Sequence, residues 1–240
     1  MDLWLFSLLA LTASARSHGA WGVAVAPLDT SGPRPPIVVL HGMWAGPEDV
    51  CPYFEAAATP FGFLVCPRGN TLNGQGWMWT GTYADATGAI RPALEAAAAL
   101  APGRLETKSG GTLVGYSNGA YFAAQVAQAE PGRWSSLVLL SMRVELDATR
   151  LQAAGVRRVV LAAGELDEAA APMEALARRI DGDAGLQARF MSLGPGGHPF
   201  PPDMGPRMCT AIAWVRGESE ELCAPHSRNS EGVQSAVRDQ

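Results

Sequence analysis

The chain has 240 residues, 48% hydrophobic and 17% charged, enough apolar material for one sizeable core at a length that a single α/β domain fills. Its formal charge is −5, and of its 18 basic residues only Lys108 is a lysine. No basic patch of the sort a phosphate backbone needs is present, which argues against nucleic acid as a partner.

The chain opens on an apolar run from Leu3 to Leu11, followed by Ala13-Ser14-Ala15. Small-x-small after such a run resembles a signal-peptidase site, although Asp2 stands where a leader usually carries Lys or Arg. The run is too short to cross a membrane, so no stable membrane insertion is expected. The resulting organisation is a leader over 1–15, one domain over 16–223 and a polar tail over 224–240, in a secreted or periplasmic protein. A buried N-terminal segment is the alternative to the leader.

Beyond it, 21–28 (WGVAVAPL) alternates and reads as an antiparallel edge strand. Short continuous apolar runs predict strands over 36–41, 61–66, 111–116, 135–141, 156–163 and 186–192. Between them, helices are predicted over 47–59, 85–101, 118–130, 172–180 and 206–216, with Pro92 kinking the second or marking a later start. Strands alternating with helices give an α/β fold: a mostly parallel sheet, helices on both faces. About fourteen residues separate the strand ending near Ser141 from the next, which leaves no room for a cap domain. The longest irregular stretch, 67–84, is rich in Gly and Trp, and loops of that length are often functional.

Four cysteines occur, Cys51, Cys66, Cys209 and Cys223. None forms a C-x-x-C pair, which speaks against zinc or thioredoxin-like chemistry. Of the three possible pairings, Cys51 with Cys66 and Cys209 with Cys223 joins neighbours along the chain and asks least of the fold; free buried thiols are the alternative.

Gly115-Tyr116-Ser117-Asn118-Gly119 is a G-x-S-x-G pentapeptide, weak by itself. Here a predicted strand precedes it and a predicted helix follows, the context in which a tight turn lifts a serine above a sheet. A serine hydroxyl needs a base, and the base an orienting acid. His198 lies on a glycine-rich loop after the last predicted strand, hence at the same sheet edge as Ser117, and is the chosen base, with His226 as the alternative. Asp167, three residues past Gly164 at the end of a strand, is the chosen acid, ahead of Asp147. An oxyanion would be met by the N–H of Asn118, at a helix start, and by that of Met43, or else Trp44, in the loop after His41-Gly42. The ring of His41 is expected to brace that loop rather than move protons.

On these residues the chain resembles the α/β-hydrolase superfamily over about 21–216. The likeness rests on His41-Gly42, the pentapeptide at Ser117, Gly164 to Asp167 and the His198 loop, in the order Ser, Asp, His. It is most similar to the lidless branch of phospholipase/carboxylesterases and dienelactone hydrolases, where Cys66-Pro67-Arg68-Gly69 has a counterpart turn. The resemblance implies a serine esterase acting on small-molecule esters, with no metal and no organic cofactor. A peptidase of the same fold and a non-catalytic binding protein are the other readings. Trp44, Trp77, Met78, Trp79 and Tyr83 belong to loops that could line the site with apolar surface, or could simply cover the top of the sheet.

Overall fold

The computed structural model describes residues 14–29, 31–108 and 110–223. The expected leader, except for its last two residues, lies outside the described residues, as do the tail and His226.

The strands are β1 (Arg16–Gly19), β2 (Gly22–Val25), β3 (Pro36–Leu40) and β4 (Phe63–Pro67), then a short pair β5 (Thr71–Leu72) and β6 (Trp77–Met78). After these come β7 (Gly111–Tyr116), β8 (Trp134–Leu140), β9 (Arg158–Ala163) and β10 (Gln187–Ser192). The helices are α1 (Pro47–Ala58), α2 (Tyr83–Leu100), α3 (Asn118–Ala129), α4 (Ala148–Ala154), α5 (Ala170–Ile180) and α6 (Met204–Arg216).

Eight strands form one sheet in the order β1-β2-β4-β3-β7-β8-β9-β10. From β4 to β10 neighbours run parallel, while β1 and β2 are antiparallel to their partners. The strands read as unbroken apolar runs because both faces are covered. Val38, Leu113, Leu137 and Leu161 enter one core with residues of α2, α3, α4 and α5. Ile37, Val114, Val138 and Val160 enter the other with residues of α1 and α6.

Three details differ from the sequence-based expectation. The 21–28 strand is antiparallel but not the edge, because Arg16–Gly19 folds back on it as a hairpin. Its alternation is between small and larger apolar side chains: Ala24 faces one core, Val23 and Val25 the other. Helix α2 starts at Tyr83 and runs through Pro92. Both Pro92 and Gly88, the residue whose carbonyl loses its donor, are exposed, so water can take that carbonyl. The connection from β8 to β9 holds one seven-residue helix, α4.

Both cysteine pairs are joined in the chain-neighbour pattern: Cys51–Cys66 ties α1 to β4, and Cys209–Cys223 ties α6 to the turn after it. Among the described residues no helix is long and apolar enough to cross a membrane.

Candidate active site

Ser117 sits between β7 and α3 with φ 51° and ψ −120°. A side chain disfavours this region, and the surroundings impose it. The Ser117 N–H donates to the Leu140 carbonyl of β8 at 2.9 Å, while its own carbonyl accepts from the Ala120 and Tyr121 N–H groups of α3. Gly119 lets the turn approach the end of β3: a β-carbon there would run into the carbonyl oxygens of Leu40 and His41.

The turn leaves the hydroxyl facing the loop between β10 and α6. His198 Nε2 lies 3.0 Å from Ser117 Oγ, and His198 Nδ1 lies 3.1 Å from Asp167 Oδ2. The Asp167 side chain is 1% exposed and that of His198 50%, so the carboxylate is sealed and the imidazole is open to solvent. Asp167 Oδ1 accepts from the Ala169 N–H at 2.9 Å. Burial works to raise the Asp167 carboxyl, but the Ala169 N–H, the Ser141 hydroxyl and His198 together outweigh it and hold it below the usual carboxylate value. Ser141 Oγ, buried just past the end of β8, makes no hydrogen bond among the described residues and acts on Asp167 as a nearby dipole. Gly164 brings the acid and base loops together, since a β-carbon there would strike the carbonyls of Gly196 and Gly197. Across the same seam the Leu166 N–H donates to the Gly196 carbonyl at 3.0 Å.

The loop after β3 is braced from beneath. His41 is 1% exposed. Its Nδ1–H donates to the Gly42 carbonyl at 2.7 Å, and its Nε2 accepts from the Gly69 N–H at 2.9 Å, partners that assign the neutral tautomer. Burial lowers its pKa against the opposing pull of the Gly42 carbonyl and of Asp49 and Glu48. Trp79 Nε1–H donates to the His41 carbonyl at 3.0 Å, and the Trp77 N–H to the Ala45 carbonyl at 3.0 Å. The N–H groups of Met43 and Trp44 have no acceptor among the described residues. Asn118 is the first residue of α3, so its N–H lacks an intrahelical acceptor and stands at the positive end of the helix dipole.

No protein-family model and no curated protein matches the chain. Solved structures do. Esterase PE8 is 22% identical with a TM-score of 0.59, over 83% of this chain and 99% of its own. The Bacillus cereus carboxylesterase is 19% identical with a TM-score of 0.57, over 81% and 92%. FphF, a Staphylococcus aureus fluorophosphonate-binding serine hydrolase, is 14% identical with a TM-score of 0.58, over 85% and 97%. The chain has the α/β-hydrolase fold.

The remaining candidates fall in different places on this α/β-hydrolase scaffold. Trp44, with φ 62°, is 56% exposed in the loop after β3, and Met43 is also exposed. Trp77 is half-buried in the β5–β6 hairpin, with the Arg68 guanidinium 5.3 Å from its ring. Trp79 corrects the expectation of a substrate wall: it is 1% exposed, its indole spent on His41 and its N–H donating to Asn118 Oδ1 at 2.8 Å. Tyr83 is exposed at the start of α2 and makes no hydrogen bond or ring contact with the triad among the described residues. Asp147, the other acid considered, caps α4 by accepting from the Arg150 N–H. Sequence reasoning missed Tyr121 and Leu166, both exposed and within four residues of Ser117 and Asp167 in the chain, and Tyr116 and Phe200, whose rings meet at a tilt, centroids 4.2 Å apart, beside His198. Closeness in the chain to the motif residues was the available signal for all four.

Proposed function

We propose that the protein is a serine hydrolase that cleaves carboxylic esters through an acyl-enzyme intermediate at Ser117. One observation carries this reading: an unbroken hydrogen-bonded chain from Asp167 through His198 to a serine held on a strained turn. The printed activities of the structural neighbours, esterase, carboxylesterase and serine hydrolase, support it.

In the first half-reaction Ser117 Oγ bonds to the ester carbonyl carbon while His198 Nε2 takes its proton. Asp167, kept ionised by the partners described above, accepts from Nδ1–H and stabilises the imidazolium. The carbonyl oxygen becomes an oxyanion and is met by the N–H groups of Asn118 and Met43. As the intermediate collapses, the C–O bond breaks and His198 returns the proton to the leaving alkoxide. Water then attacks the acyl group, giving its proton to His198, and the acid departs as Ser117 regains its hydrogen. The scheme uses no metal or organic cofactor.

The exposed Trp44, Met43, Tyr121 and Leu166 favour an apolar acyl or aryl group beside the serine. The short β8–β9 connection carries nothing large enough to enclose a long chain, which favours small soluble esters. Two disulfides suit a secreted or periplasmic protein. The test is labelling with a fluorophosphonate probe, with the adduct located by mass spectrometry. Wild type should label at Ser117, and Ser117→Ala and His198→Ala should not; a folded wild type that stays unlabelled would sink the reading. Preference for emulsified long-chain triglyceride over short p-nitrophenyl esters would overturn the substrate class alone.

A further inference from the structure

Tyr116 has no part in the acyl transfer just described, yet its side chain meets both halves of the site. Its hydroxyl donates to the His198 carbonyl at 2.9 Å. Its ring lies 5.3 Å from the His198 imidazole and 4.2 Å from Phe200, centroid to centroid. Phe200 is in turn set edge-on to Tyr53 and Phe54 of α1. The Tyr116 ring also borders Gly42, where a β-carbon would come within 3.1 Å of it. One side chain therefore stands between the loop that offers oxyanion donors and the loop that carries the base.

The His198 loop has few other restraints. Its first part is tied to the acid loop, where the carbonyls of Gly194 and Gly196 accept from the N–H groups of Glu165 and Leu166. Past Gly196, the next backbone bond within the loop is from the Met204 N–H to Pro201. Over 197–200 the Tyr116 hydroxyl makes the one hydrogen bond to backbone among the described residues. The imidazole itself is half exposed, and the side chains of Asp167 and Ser117 meet only its two nitrogens, so those two bonds form together only where the backbone beneath the ring is fixed. Burial, then the charge of Asp167, pushes the Tyr116 phenol up to about 12, so it remains a donor wherever an esterase would work.

We propose that Tyr116 is a positioning residue whose hydroxyl fixes the His198 backbone, so that the imidazole bridges Ser117 and Asp167 before substrate arrives. The proposal rests on the reading of Ser117 and His198 as nucleophile and base. Holding the base in place beforehand removes a search that would otherwise precede each proton transfer, and displacement by about 1 Å can cost on the order of 100-fold in rate.

Tyr116→Phe tests it, because the ring stays and only the hydroxyl goes. The kcat on a short p-nitrophenyl ester should fall roughly 10- to 100-fold with KM nearly unchanged, and the rate of fluorophosphonate labelling should fall alongside. In the 1H–13C spectrum the His198 ring cross-peaks should move towards those of free imidazole. The melting temperature should hold within a few degrees, in contrast to Tyr116→Leu, which also removes the tilted ring contact with Phe200. A wild-type kcat in Tyr116→Phe, or unmoved His198 cross-peaks, would each overturn the proposal. If wild type itself neither turns over ester nor takes label, the hydrolase reading fails separately, and the cross-peaks alone decide the role of Tyr116.

Discussion

Ser117 holds φ 51° and ψ −120° with a β-carbon in place, a conformation that costs about 1–3 kcal/mol and that glycine adopts freely. In the proposed mechanism its hydroxyl has a chemical use, and its backbone a structural cost, so the two separate on mutation. Ser117→Gly should be inactive yet more stable than Ser117→Ala by about 1 kcal/mol, a few degrees in melting temperature; equal melting temperatures would mean the turn is unstrained. His41 makes a second separable contribution. Its ordinary value is 6.5, and the folded protein lowers it, chiefly by burial. The unfolded chain therefore takes up a proton that the folded chain resists, so stability is full above about pH 6.5 and falls as the pH drops towards the lowered value. Unfolding followed from pH 8 to 5 should show that loss in wild type and a shallower one in His41→Gln. That Ser117, His198 and Asp167 meet is legible in the sequence because a local pattern and a chain order both constrain them. Trp79 was not: a tryptophan in a Gly-rich loop gives no sign of whether it faces substrate or turns under the sheet edge to hold His41.

Among the elements, legibility followed burial. Strands β3, β7, β8 and β9, covered on both faces, were readable as apolar runs to within a residue or two. The edge strand β1, half exposed and containing Ser17 and His18, has no apolar signature and forms because the turn at Ala20-Trp21 returns it to β2. Helix α4 is only seven residues long and gives too little periodicity to detect. Helix α2 was placed well but its start was not, because Pro92 lies in its interior on the solvent side. That position makes a clean test. Pro92→Ala restores an N–H for the Gly88 carbonyl and relieves the ring's clash, worth up to about 3 kcal/mol, against about 1 kcal/mol for the looser unfolded chain. A net gain of about 1–2 kcal/mol should appear in chemical denaturation with esterase activity unaltered. No gain would mean that the helix already accommodates the ring without strain.

Across the whole molecule, the two disulfides span similar separations, 15 and 14 residues, and chain-entropy reasoning assigns about 3 kcal/mol to each. By that measure alone they are interchangeable. Their positions are not. Cys51–Cys66 fastens α1 to the end of β4, and the chain leaving β4 passes through Arg68, paired with Glu48 of α1, to Gly69, whose N–H holds His41 Nε2. Cys209–Cys223 fastens α6 to the turn that follows it, and among the described residues no hydrogen bond or ion pair joins that turn to the triad or its loops. Replacing each pair by alanines should lower stability by a similar amount, read as two comparable drops in the denaturation midpoint. Labelling of Ser117, measured well below both midpoints, should slow only in the Cys51→Ala/Cys66→Ala protein, because only that bridge is linked through a short covalent and hydrogen-bonded path to the His41-Gly42-Met43 loop beside Ser117. Equal slowing in both variants would mean that the site responds to global stability, and equal retention would mean that Gly69 and Trp79 hold His41 without help from the bridge.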